Sequence, residues 1–313
     1  MYYSIRHTTQ FDYSASITES VMELYMQPRS ENLQHCLNFS LTVDPPAKVT
    51  SYRDYMGNIL HHFDIPQQHN RLMILAEAFV ELTPSDAIDH LRAGGSWEAL
   101  DEIAHTSEFY DYLLPGEFTH PTPLLEALRQ ELKIVRHENP FSTLWNLTNV
   151  VYNAFDYVPD STSVDSPIDH SLETRQGVCQ DFAHVMLALG RGLGIPCRYV
   201  SGYLYYQRSA HDRSAEDASH AWVEAYLPDA GWVGFDPTNQ LICNERHIRV
   251  AVGRDYGDVP PTRGVFKGKA TSDLTVKVEV TSAERPPEDL ELFAAPRWPA
   301  MMAGLIQQRQ QQQ

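Results

Sequence analysis

From Met1 to about Thr83 the sequence reads as strands, and in several runs apolar and polar residues alternate with a period of two. Leu37, Phe39, Leu41 and Val43 interleave with Asn38, Ser40 and Thr42, which places one apolar set on one face of a strand. The neighbouring runs YYSIRHTTQFDYS, VMELYMQP, YRDYMGNILHHFDI and LMILAEAFVEL are β-branched or aromatic and are punctuated by Pro, Gly and Asn. This spacing predicts a mostly antiparallel β-sandwich over residues 1–85. Residues 86–120 carry little periodicity, with turns at Gly94-Gly95 and Pro115-Gly116, and read as a connector with short helices. The period then changes. Thr122-Pro123 opens a helix marked by Leu124, Leu125, Leu128, Leu132 and Val135, and Asn139-Pro140 opens a second with Leu144, Leu147, Val150 and Val151. A turn-rich stretch leads to a third helix from about Cys179 to Leu193, stopped by Gly194. The strand-like runs CRYVSGYLYY, HAWVEAYL and GWVGFDP follow, with a further strand pair over 264–282. Helices followed by strands define an α+β unit over 121–283, and the Gln-rich residues 284–313 read as a poorly ordered tail.

Composition narrows the function. Lys plus Arg number 24 against 41 Asp plus Glu, a formal charge of −17, so the chain lacks the clustered cations that nucleic-acid binding requires. The most apolar run, LMILAEAFVEL, is interrupted by Glu77 and Glu81 and falls short of the roughly 18 apolar residues of a membrane span. The first residues show no cationic segment followed by an apolar one, so the expectation is a soluble cytoplasmic protein without a membrane or nucleic-acid partner. Four cysteines, Cys36, Cys179, Cys197 and Cys243, are too scattered for a disulfide framework and form no CxxC pair. The histidines, His61, His62 and His69 among them, lie outside any HExxH or Cys-rich context, so no metal and no cofactor is expected.

One of the cysteines occupies a special place. In Gly177-Val178-Cys179-Gln180-Asp181 a glycine-marked turn runs into an apolar helix, and a thiol at a helix start meets orphan N–H groups and the positive end of the helix dipole. Both favour thiolate and make the sulfur a nucleophile. A buried structural cysteine would fit the same pattern, and Asp181 reads equally as a helix cap. A nucleophile needs a base, and His220 heads the alternating strand HAWVEAYL. Asp236 ends the next strand, and the turn Pro228-Asp229-Ala230-Gly231 between them forms a hairpin that brings His220 and Asp236 side by side. Alone, His220 could be a sheet histidine and Asp236 a turn residue before Pro237. Together with Cys179 they suit a triad in which the carboxylate fixes the imidazole and the imidazole serves the thiol.

The segments GVCQDFAH, GIPCRYVSGYL, SHAWVEAYLP and GWVGFDPTN resemble the bacterial branch of the transglutaminase-like superfamily over about residues 140–240, and residues 1–85 resemble the β-rich region that accompanies this core. The resemblance implies a papain-like fold with Cys179 as nucleophile, His220 as base and then acid, and Asp236 as orienter. It implies acyl transfer through a thioester on a peptide or protein substrate, to water or to an amine. The Cys179 N–H is the natural first oxyanion donor, with Gln176 and Trp222 as candidates for the second. The opposing expectation is a scaffold that keeps the fold without turnover. Cys197 reads as a buried small side chain, and Tyr203, Tyr205 and Tyr206 read as packing or as part of a groove. The oligomeric state is not legible.

Overall fold

The computed structural model describes residues 1–84, 95–104 and 106–284. Six strands come first: β1 (Tyr2–Ile17), β2 (Glu19–Leu24), β3 (Gln34–Asp44), β4 (Thr50–Arg53), β5 (Ile59–Ile65) and β6 (His69–Leu82). The connector contributes two short helices, α1 (Trp97–Ala104) and α2 (Tyr110–Leu113). Then follow α3 (Pro123–Glu131), α4 (Pro140–Ala154), β7 (Asp156–Tyr157), α5 (Ile168–Thr174), β8 (Gln176–Gly177) and α6 (Cys179–Gly192). The chain closes with β9 (Cys197–Leu204), β10 (His220–Leu227), β11 (Gly231–Asp236), β12 (Leu241–Ile242), β13 (His247–Gly253), β14 (Thr262–Lys267) and β15 (Ser272–Ala283). The fold is mixed α and β with antiparallel main sheets; only the short β7–β8 pair is parallel among the described residues.

Helix starts follow the local signals. The Thr122 hydroxyl accepts from the Leu125 N–H and the Asn139 side chain from the Ser142 N–H, each just ahead of a first-turn proline. α3 ends sooner than its leucine spacing predicts, because Lys133 turns to a positive φ of 52° and leaves Val135 exposed. Within the turn-rich stretch lies a helix, α5, that the sequence pattern does not announce.

The strand-rich region is a sandwich of two four-stranded sheets, ordered β15-β1-β6-β3 and β14-β2-β5-β4. Tyr13, Ile17, Leu24, Phe63, Leu72 and Ile74 fill the space between them. One expectation is corrected here. Sequence order places residues 262–283 in the core unit over 121–283, but β15 pairs with β1 and β14 with β2, so the end of the described chain completes the sandwich. Pairing across more than two hundred residues leaves no local trace in sequence. The tail 285–313 and residues 85–94 of the connector lie outside the described residues.

Strands β1 and β6, at 16 and 14 residues, outrun β2 and β5, at 6 and 7, so half of their inner face has no opposing sheet. Tyr3, Ile5, Ala78 and Val80 on that overhang join one apolar cluster with Phe141, Leu144, Val185, Leu189 and Val223 of the core. The sandwich is thereby fused to the core. Side-chain amides reinforce the join at β13, the edge strand of the core sheet. Gln34 accepts from the Arg249 N–H and donates to its carbonyl, each at 2.8 Å, and Asn58 does the same for Val252, also at 2.8 Å. Two buried amides thus stand in for a neighbouring strand. Asn58→Ala would orphan both Val252 groups, so the unfolding free energy is expected to fall by roughly 2–3 kcal/mol. Denaturant titration measures this, and a loss below about 0.5 kcal/mol, the scale of a surface change, would contradict the docking role.

The core sheet runs β12-β11-β10-β9-β13, and α6 packs across β10 and β9. Ala221, Val223 and Ala225 of β10 face the helix, while the strand period sends His220, Trp222 and Glu224 to the opposite side. Helix α6 is buried from Gln180 to Arg191. It ends in a Schellman arrangement: the Ile195 N–H reaches the Gly190 carbonyl at 3.1 Å, the Gly194 N–H reaches Arg191 at 2.9 Å, and Gly194 takes φ 79°.

Candidate active site

The nucleophile candidate is held by the turn that leads into α6. The Asp181 carboxylate turns back to accept from the Val178 N–H at 2.8 Å and from the Thr162 hydroxyl at 2.6 Å. Burial pushes the Asp181 carboxyl up, against these hydrogen bonds. Gly177 makes the turn-back possible, since a Cβ there would lie 2.6 Å from the Asp181 side chain. Asp181 is therefore a cap that fixes the residue before Cys179. As the first residue of the helix, Cys179 has an N–H with no intrahelical acceptor. Its half-buried sulfur lies 4.0 Å from the Ser219 carbonyl, directly ahead of His220.

His220 and Asp236 lie on paired strands at one end of the sheet, with His220 Nε2 2.8 Å from Asp236 Oδ2. Nδ1 of the same ring is buried without a hydrogen-bond partner among the described residues. Burial works against an imidazolium, yet the Asp236 charge and hydrogen bond, followed by Cys179, outweigh it and raise His220 to about 10. With Nε2 engaged by Asp236, Nδ1 is the ring nitrogen left without a hydrogen bond. Asp236 is fully buried and surrounded by donors. Its Oδ1 accepts from the N–H groups of Thr238 at 2.9 Å and Asn239 at 3.1 Å, and its Oδ2 accepts from Asn239 Nδ2 at 2.8 Å in addition to His220. Burial opposes the Asp236 charge, but His220 and then His247 prevail and hold the carboxyl well below the usual carboxylate range.

Two of these partners escape the sequence reading. Asn239 ties the site to the loop ahead of His220, accepting from the N–H groups of Arg213 at 2.7 Å and Ser214 at 3.2 Å. His247 places its Nε2 3.2 Å from the same Asp236 oxygen. The available signal is its position at the head of an alternating strand, HIRVAVG, as His220 heads HAWVEAYL. The two histidines converge over Gly202, which pairs with His220 on one side and Arg249 on the other; a Cβ there would meet the Ile248 carbonyl at 2.2 Å and the Trp222 ring at 2.5 Å.

The remaining expectations divide. Gln176 is exposed on β8, three residues before Cys179. Trp222 is 1% exposed, one step further along the inner face of β10, and forms a floor with ring centroids 6.0 Å from His220 and 5.3 Å from His247. Its Nε1 has no hydrogen-bond partner among the described residues. Tyr203 is buried with its hydroxyl 3.0 Å from His7, while Tyr206 lines an open groove of about 600 Å³. That groove lies between the core-facing end of the sandwich and the loop before His220, with Arg6, Glu77, Glu216, Asp217 and Lys277 on its walls. Cys197 is buried.

His220, Asp236 and His247 offer three ligand atoms within 4.8 Å of one another, yet the set does not fit a metal. His247 Nδ1 takes the Asn244 backbone N–H at 3.2 Å, so the ring proton resides on Nε2, where a metal would need a lone pair. Asp236 Oδ2 is already occupied by hydrogen-bond donors.

The core thus brings together a cysteine at a helix start and a histidine hydrogen-bonded to a buried aspartate, an arrangement that comparison with known proteins sets in a family. The family model for the transglutaminase-like superfamily matches residues 130–237, and that for the bacterial transglutaminase-like N-terminal region matches residues 3–81. The chain belongs to the transglutaminase-like superfamily. An uncharacterized protein of Mycobacterium leprae is 33% identical over 276 residues, covering 88% of this chain and 96% of its own. A protein-glutamine gamma-glutamyltransferase of Pseudomonas aeruginosa is 31% identical over 127 residues, 39% of this chain but 19% of that protein. The crystal structure of a candidate cysteine protease from Cytophaga hutchinsonii shares the fold at a TM-score of 0.72, with 23% identity over 92% of this chain and 93% of that one. No helix among the described residues is long and apolar enough to cross a membrane.

Proposed function

We propose that the protein is a cysteine-dependent amide hydrolase or acyltransferase that acts on peptide or protein carboxamides through a thioester. The observation that carries this reading is the division of labour on His220: Nε2 is held by Asp236 at 2.8 Å, while Nδ1 is left free of hydrogen bonds on the thiol side. Cys179 gives its proton to His220 Nδ1 and attacks the carboxamide carbon. The carbonyl oxygen becomes an oxyanion held by the Cys179 N–H, with Gln176 as the second donor. Collapse expels ammonia or an amine, which takes the proton from His220, and leaves the acyl group on sulfur. Water or a primary amine then attacks the thioester, passing its proton to Nδ1, and the thiolate departs. Asp236 remains ionised throughout and keeps the ring in register.

Support for a protein substrate comes from the superfamily and from the glutamyltransferase relative, whose name specifies protein glutamine. Incubation with a glutamine-rich protein and a fluorescent primary amine tests the reading. Amine incorporation would establish a transferase, release of ammonia or cleaved peptide without incorporation would establish a hydrolase, and a Cys179 no more reactive than a free thiol at pH 6 would overturn both.

A further inference from the structure

The second histidine on Asp236 has no part in the acyl-transfer steps. We propose that His247 is a positioning residue that, by donating its Nε2–H to Asp236 Oδ2, holds the carboxylate in place and limits how tightly it binds the proton of His220. The inference rests on the functional reading above.

The geometry gives His247 one available role. Its Nδ1 accepts from the Asn244 N–H at 3.2 Å, so its single proton is on Nε2, 3.2 Å from the carboxylate. His220, His247 and Asn239 therefore share one oxygen, at 2.8, 3.2 and 2.8 Å. Each donor draws charge from that oxygen, and removal of one leaves more of the charge for the other two. Two imidazolium ions on one oxygen would repel, and the two rings do part company. Burial lowers His247, with His220 and Arg246 adding to it against the pull of Asp236, whereas His220 is raised. One ring stays neutral and only donates to Asp236; the other carries the mobile proton.

The charged surroundings leave this division intact. His220 meets Asp236 and Cys179, and Asp236 meets the two histidines. Arg246, adjacent to His247, is engaged by Asp212 at 2.6 Å. Cys243, pushed up by burial, meets Asp236, Glu224 and Arg249, and Glu224 is itself paired with Arg198 and Arg249. Trp222 closes the space beneath both rings, so water has no access from below.

Histidine ring NMR on the full chain reads the effect directly, with the His220 signal assigned by its own variant. His247→Leu, which removes the donor, is expected to move the His220 titration midpoint upward by about 0.5–1 pH unit. His247→Gln, whose amide restores a donor, should bring it back to within about 0.2 unit. A merely structural His247 would lower unfolding stability in the leucine variant and leave the His220 midpoint unmoved, which overturns the proposal. Should the leucine variant not fold, ring nitrogen shifts of the unmodified protein decide. A proton on His247 Nε2 supports the proposal, and a proton on Nδ1 overturns it. Failure of the functional reading shows separately, as a Cys179 with ordinary reactivity in the unmodified protein.

Discussion

Replacing Cys179 with alanine is expected to reduce turnover in the amine-incorporation or hydrolysis assay by at least about 10⁴-fold, since no acyl-enzyme can form without the sulfur. The fold should tolerate the change. The side chain is half-buried at the first position of α6, alanine suits a helix, and Asp181 continues to cap Val178, so stability should move by less than about 1 kcal/mol. Cys179 is also among the groups that raise His220, so the variant's imidazole should titrate lower than in the parent protein. Activity retained within about tenfold, with the protein folded, would mean that the sulfur is not the nucleophile.

The second large effect belongs to Asp236→Asn. The amide oxygen can still serve the Thr238 and Asn239 N–H groups, but its NH₂ then faces three other donors, His220 Nε2, His247 Nε2 and Asn239 Nδ2. His220 must surrender its Nε2 proton and hold one on Nδ1, where it cannot accept from the thiol. A loss on the order of 10⁴ in kcat follows. Stability falls as well, by roughly 3–5 kcal/mol at neutral pH, because one partner of a buried pair is left uncompensated. The pH dependence has a definite sign. His220 is raised, so its contribution is complete below the ordinary histidine value near 6.5 and is lost as pH rises through about 10. Asp236 is depressed, so its contribution is present above the ordinary aspartate value and is lost only at strongly acid pH. The stability gap between parent and variant should therefore narrow between about pH 6.5 and 10. Denaturant curves at several pH values measure this, and a gap constant across that window would contradict the ion pair.

Local signals are legible in the sequence and long-range ones are not. Thr122-Pro123 and Asn139-Pro140 announce helices because a cap and a first-turn proline act within four residues. The turn Pro228-Asp229-Ala230-Gly231 announces a hairpin, and that short-range signal alone is enough to set His220 beside Asp236. The strands over 262–283 are visible as strands, yet their partners β1 and β2 lie at the other end of the chain. His247 and Asn239 are hidden for a related reason: one reaches Asp236 across β9 and β10, and the other acts through a loop. Trp222 lies away from the head of β10 because two residues along a strand keep a side chain on the same face but carry it about 7 Å away from the strand end. The docking of the sandwich through Gln34 and Asn58 depends on amide geometry that no residue pattern encodes.

The central claim is that Cys179 is the nucleophile and His220 its base, and the alkylation rate of Cys179 at pH 6 tests it most directly. A free thiol ionises near 8.5, so little of it is reactive at pH 6. With iodoacetamide and peptide mapping to separate Cys179 from Cys36, Cys197 and Cys243, Cys179 is predicted to react at pH 6 at least about tenfold faster than a free thiol. A Cys179 that reacts at pH 6 no faster than a free thiol would contradict the account.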